Sequence, residues 1–296
     1  MPCSNQRPIR LTSRDRDLIH TVYRYRVLRR EQLERLYFPS KNAANARLVR
    51  LYQHGYLARR RLPLEYGQGS SQWLYLLGGR GARLIAETEG VPLEQLAWRR
   101  TQNHVSTLFL EHTLMVNDLR ICVRLACDRS AHEIEHWLTE AQLRAQRDHV
   151  WIETGRGNRR RVALVPDAYC VLSDGVRRAR FFFEADRATE SNGRWRQKVE
   201  AYLRYVRSGQ YRQRYGSDCL RVLVVTTGEK RLGNLLRTTD QAGAKGLLWF
   251  TTLDQVAPQT VLGGAIWRVP GRPTPRVLLE TPRVSPIPAP IVLYRS

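Results

Sequence analysis

The chain has 296 residues, and none of its apolar runs approaches the ~20 residues a membrane-spanning helix needs, so two soluble domains are expected. Its 49 lysines and arginines against 27 acids give a formal net charge of +22, which points to a polyanionic partner, nucleic acid ahead of an anionic membrane surface. Five scattered cysteines without a CxxC pair argue against a disulfide framework or a zinc ribbon, and the opening MPCSNQRPIR lacks a secretion signal's apolar core, so a cytoplasmic location is expected.

Of the basic residues only Lys41, Lys198, Lys230 and Lys245 are lysines. Arginine's planar fork suits phosphates and guanine edges, although genome composition alone produces the same excess. The charge is uneven: +11 over residues 1–100, +2 over 101–200 and +9 over 201–296. Acids therefore gather in the middle of the chain between basic flanks.

From residue 12, TSRDRDLIHTVYRYRVL predicts a helix with Thr12 or Ser13 as cap, Asp15 and Asp17 in the first turn, and Leu18, Ile19, Val22 and Tyr23 as its apolar stripe. RREQLERLYF predicts a short second helix. A third runs from about Asn42 to His54 and stops at Gly55, with Leu48, Leu51 and Tyr52 inward and Lys41, Asn42, Asn45, Arg47 and Arg50 outward. A strand ending in Arg59, Arg60 and Arg61, a turn at Gly67–Ser71 and a second strand follow. Three helices and a hairpin predict a winged helix-turn-helix over residues 1–100. Its third helix would enter a major groove of double-stranded DNA, with the arginine wing on phosphate. GGRGARLIAETEG predicts a closing helix; its glycines lack the Gly-Lys-Ser/Thr ending of a phosphate loop.

HVSTLFLEHTLMVNDLRICVRLAC predicts a long helix opening a second, α/β domain over residues 101–265, with Leu108, Leu110, Leu114, Leu119 and Val123 recurring on it. His104, His112 and Asn117 read there as packing or satisfied polar groups. His132-Glu133-Ile134-Glu135-His136 formally matches HExxH, with His149 or Glu153 as a conceivable third ligand. The pattern needs a long helix, however, and here it leads into a strand or turn. VALVPDAYCVL, RFFFEAD and LRVLVVTT predict strands, and Ser191-Asn192-Gly193 caps a helix with Trp195, Val199, Tyr202 and Val206 as its buried stripe. RLGNLLRTT reads as a helix and GLLWFTT as a last strand. Residues 266–296, rich in proline, read as an extended tail.

Alternation along RFFFEAD puts Phe182, Glu184 and Asp186 on one face, and Asp167 ends the preceding run. Carboxylates gathered in this way hold Mg²⁺ or Mn²⁺, and a lysine beside them neutralises charge on a phosphate. The candidate catalytic set is Asp167, Glu184, Asp186 and Lys198, with Asp167, Glu184 and Glu140 as metal ligands. The order is that of PD-(D/E)xK nucleases, except that Asp186 stands at the expected lysine position and Lys198 lies on the next helix. The competing reading pairs these acids with Arg180, Arg187 or Arg194 at a strand end.

LTSRDRDLIHTV, ARLVRLYQHGYLARR, YLLGGRGARLI, EHTLMVNDL, VPDAYCVL, FFFEADRATES and KVEAYLRYV occur in the order seen in replication-relaxation proteins, and the resemblance covers about residues 10–255. That family, borne by plasmids and integrative elements, resembles the C-type mobilisation relaxases with their restriction-endonuclease-like domain. The resemblance implies an origin-reading winged helix and a nicking site at Asp167, Glu184, Asp186 and Lys198. The histidine cluster and nucleophilic tyrosine of other relaxases are not visible. Two functions are expected from this: a metal-dependent origin nickase, or a non-catalytic DNA-binding accessory or transcriptional regulator with a degenerate nuclease fold.

Overall fold

The computed structural model describes residues 8–62, 72–154 and 157–279. The turn at Gly67–Ser71 and the end of the proline-rich tail lie outside them. The fold is mixed α/β, as the sequence predicts.

In the first lobe, α1 (Ser13–Tyr25) starts where the Thr12 hydroxyl accepts from the Asp15 backbone and the Asp15 carboxylate accepts from Thr12, a reciprocal cap. Its buried Leu18, Ile19 and Val22 face β1 (Val27–Arg29), α2 (Arg30–Tyr37) and α3 (Lys41–Gln53). β2 (Leu57–Arg61) and β3 (Trp73–Leu77) complete an antiparallel sheet ordered β1-β3-β2. α4 (Gly79–Glu89) then packs back on α1. The glycines before α4 serve close packing: a Cβ on Gly78 would stand 2.3 Å from the Gly55 carbonyl oxygen, and one on Gly81 2.3 Å from that of Tyr56.

The second lobe is built on α5 (Thr107–Cys127) and a five-stranded sheet ordered β10-β9-β8-β7-β4. Along the chain come β4 (Glu133–Thr139), α6 (Glu140–Ala145), the hairpin β5 (Asp148–Thr154) and β6 (Asn158–Leu164), β7 (Ala168–Ser173) and β8 (Arg178–Asp186). α7 (Asn192–Arg207), α8 (Gln210–Tyr215), β9 (Arg221–Thr226), α9 (Glu229–Gln241) and β10 (Leu248–Thr252) follow. β4, β7 and β8 are antiparallel neighbours, whereas β9 and β10 run parallel to β8. The middle of β9, Val222 to Val225, is wholly apolar because both faces are covered. Phe182, Val222 and Val224 meet Trp195, Tyr202 and Tyr205 of α7, while Phe181, Phe183, Leu223 and Val225 meet Met115, Leu119 and Val123 of α5.

Three details differ from the sequence reading. Leu108 is 63 % exposed, on the first turn of α5, which begins at Thr107. The β5–β6 hairpin was not anticipated. Residues past 265 continue the fold: β11 (Ala265–Trp267) pairs with β12 (Arg276–Val277), and Trp267 and Leu278 are buried beneath the sheet.

α5 joins the lobes. Its Leu110 and Leu114 pack on Val27, Leu74 and Leu76 of the first sheet. Asn117, buried, donates to the carbonyls of Tyr25 (3.0 Å) and Val27 (2.7 Å), satisfying the backbone where α1 hands over to β1. Asn117→Ala leaves two buried carbonyls short of a donor, and urea denaturation should show a loss of about 1–3 kcal/mol.

Candidate metal and nucleic-acid site

The β7–β8 register sets Ala168 opposite Phe183. One residue beyond, the Asp167 backbone donates to the Phe183 carbonyl (3.1 Å), and Asp167 Oδ2 accepts from the Ala185 N–H (2.8 Å). The carboxylate is thereby fixed beside Glu184. Asp167 Oδ1 accepts a hydrogen bond from His112 Nε2, 3.0 Å away on the first turns of α5. Glu140, at the start of α6, arrives from the other side, and ligand atoms of His112, Glu140 and Asp167 lie within 4.8 Å of one another. Two carboxylates and an imidazole fit a divalent ion, and the imidazole shifts the preference from Mg²⁺ towards Mn²⁺.

Glu184 is buried and does not join that triad. Its Oε2 accepts from Lys198 Nζ at 3.0 Å and its Oε1 from the Tyr202 hydroxyl, both on α7. Lys198 also lies 3.7 Å from Glu190. The helix therefore brings the lysine back towards the carboxylates, as its spacing on α7 allows. A cleft of about 530 Å³ opens over the group, with His112, Glu140, Glu184, Arg194 and Lys198 in its walls.

Asp186 lines the same cleft but is not one of the triad's ligands. Arg231 of α9 grips it at 2.8 and 2.9 Å, and Thr226 donates at 2.7 Å, so it anchors the end of β8 to α9. Arg187 pairs instead with Glu111 and donates to the Leu108 carbonyl. The HExxH pattern lies on and before β4, where strand geometry does not stack residues four apart. Glu135 there pairs with Arg178 at 2.5 Å.

Electrostatics divide the acids. Burial pushes the Glu184 carboxyl up to about 7 against the pull of Lys198. A carboxyl raised in this way stabilises the fold fully below its unfolded value near 4.5, and that contribution is lost as pH rises through about 7. For Lys198, burial is outweighed by Glu184, Asp167 and Glu190, which raise it and keep it cationic. For Asp186, burial is outweighed by Arg231 and Thr226, which hold it below the usual carboxylate range. Bonding to Asp167 raises His112, although its burial acts in the opposite direction.

On the first lobe, Lys41, Asn42 and Arg50 are exposed on α3 and Asn45 is half-buried. Arg47 instead binds Asp15 (2.8 Å) and the Arg10 carbonyl (2.9 Å), because the α1 cap needs a counter-ion. Tyr52 is 36 % exposed rather than core, and Arg59 lies over its ring at 4.1 Å. Arg59 and Arg61 both stack on Trp73 at 4.2 Å. Strand alternation turns Arg60 to the opposite face, where it donates to the Val105 carbonyl at 2.6 Å.

His112 and Tyr202 are the site residues that sequence reasoning missed. Both sat at apolar helix spacing, and their partners lie 55 positions and 18 positions along the chain.

The replication-relaxation family matches residues 19–218. No curated protein and no solved structure matches the chain. No helix among the described residues is long and apolar enough to cross a membrane.

In an NMR titration the His112 imidazole should titrate above its ordinary value of 6.5, and Asp167→Asn should bring it down.

Proposed function

Because the chain belongs to the replication-relaxation family, we propose that it reads a plasmid or mobile-element origin with its first lobe and nicks one strand with its second. The family supports a part in replication or relaxation; DNA recognition and cleavage are our reading of the geometry. The observation that carries it is the meeting of Asp167, Glu140 and His112 within bonding range of one ion, with Lys198 returned from α7 to the same cleft.

The first lobe runs α1-β1-α2-α3-β2-β3, the element order of a winged helix-turn-helix. In this reading α3 presents Lys41, Asn42, Asn45 and Arg50 to the major groove of double-stranded DNA, and Arg59 and Arg61, held flat on Trp73, meet phosphate. With α6, the β5–β6 hairpin and α8 taken as insertions, the second lobe's α5-β4-β7-β8-α7-β9, in which β8 and β9 are parallel, is compatible with a PD-(D/E)xK nuclease core. Asp167, Glu140 and His112 would hold Mg²⁺ or Mn²⁺, which supplies an activated water and charge for the phosphate oxygens. Glu184 holds Lys198 at the cleft, and Tyr202 holds Glu184. Lys198 then offsets negative charge developing on the scissile phosphate.

A second reading, a DNA-binding accessory or regulator without cleavage, is favoured by Asp186 at the lysine position and by the closed Glu184–Lys198 pair. Supercoiled plasmid carrying the cognate origin separates the two. With Mn²⁺ the wild type should give open circles, and Asp167→Ala or Lys198→Ala should slow nicking by about 100-fold or more. No open circles with either metal would leave the accessory reading.

A further inference from the structure

Between α1, α5 and β4 lies a cavity of about 420 Å³, within the ~300–1,000 Å³ span of small-ligand sites. Tyr25, Phe109 and Trp137 give it an aromatic wall, and Arg24, Arg26 and Arg120 give it charge. Arg120 is half-buried, with its guanidinium 4.1 Å from the Tyr25 ring centre and 5.1 Å from that of Trp137. Among the described residues no carboxylate pairs with it, and the charged side chains bearing on it include Arg24 and Arg124, which share its sign. The two rings answer part of its charge, and an anion arriving in the cavity would find a guanidinium with no carboxylate to displace.

The rim adds a second observation. Arg26 closes α1 at φ +67°, a conformation that non-glycine residues seldom adopt and that clusters at ligand sites. Its guanidinium is thereby aimed over Phe109 at 5.6 Å. On its other side the cavity shares His112, Glu140 and Asp167 with the candidate metal triad. A second cavity of about 330 Å³ shares Arg24, Tyr25, Arg120 and Trp137, so the pocket has a neighbour along the same wall.

An aromatic wall, an unpaired guanidinium and a floor of metal ligands match a base, its phosphate and the adjoining phosphodiester. We propose that this cavity takes one unpaired nucleotide of the DNA strand, base against Tyr25, Phe109 and Trp137 and phosphate at Arg120. This rests on the nicking site proposed above and specifies its substrate: a strand whose nucleotide has left the duplex stack, because paired bases offer only their edges.

The test uses the full chain in EDTA, so that cleavage plays no part. Three labelled probes are compared: a single strand, a duplex with one unpaired 2-aminopurine, and the fully paired duplex. Binding of the first two should change the 2-aminopurine fluorescence, and Arg120→Gln or Phe109→Ala should weaken both by roughly 10-fold while leaving the paired duplex unchanged. Trp137 also stacks on Phe183 in the core, at 5.3 Å, so it is left unaltered. An equal loss on all three probes, no fluorescence change, or no single-strand binding by wild type overturns the pocket. A protein that never nicks can still pass this test, and a nicking protein that fails it loses only the pocket.

Discussion

The site depends on one constraint, the antiparallel register of β7 against β8. The Phe183 carbonyl and the Ala185 N–H hold Asp167 by its backbone and its side chain together. A slip of one residue would turn Glu184 towards α5 and break its bonds to Lys198 and Tyr202. The three phenylalanines enforce the register, because Phe182 fills the α7 side while Phe181 and Phe183 fill the α5 side. The apolar run and the carboxylates that end it are one device: burial fixes the strand, and the strand aims the acids.

α5 carries that device into the rest of the molecule. One flank packs on the first sheet through Leu110 and Leu114, and another covers the second sheet through Met115, Leu119 and Val123. Its first turns deliver His112 to Asp167 and Phe109 to the neighbouring cavity. The two lobes are therefore held against one another by one helix, whose Asn117 closes the joint with the first lobe. The +22 charge is unevenly placed: arginines stack on aromatic rings at β2 and at the cavity, while Glu184 is buried against Lys198 and Tyr202 and Asp186 against Arg231.

Local pattern revealed much of this. The Thr12–Asp15 cap, the two-faced FFFEAD strand and the α7 stripe follow from spacing within a few residues. Periodicity reports which face is buried; it does not report which distant group arrives there. Arg47 reads as an outward helix residue until Asp15, 32 positions away, claims it. Asp186 shares the parity of Glu184 and lines the same cleft, yet Arg231, 45 positions on, takes up its carboxylate. Tyr52 has core spacing but supports an arginine at the surface, and Arg60 alternates away from the wing that its neighbours form. A histidine at helical spacing reads as packing; only the β7–β8 register shows His112 the carboxylate.

The central claim is that Asp167, Glu140 and His112 form a cation site beside the Lys198–Glu184 pair. Crystals soaked in Mn²⁺ and measured at the manganese edge test it directly. The account predicts an anomalous peak in contact with Asp167 and Glu140, with His112 turned from its bond to Asp167 onto the ion. A lattice well soaked with Mn²⁺ that shows no peak there, with His112 still bonded to Asp167, would contradict it.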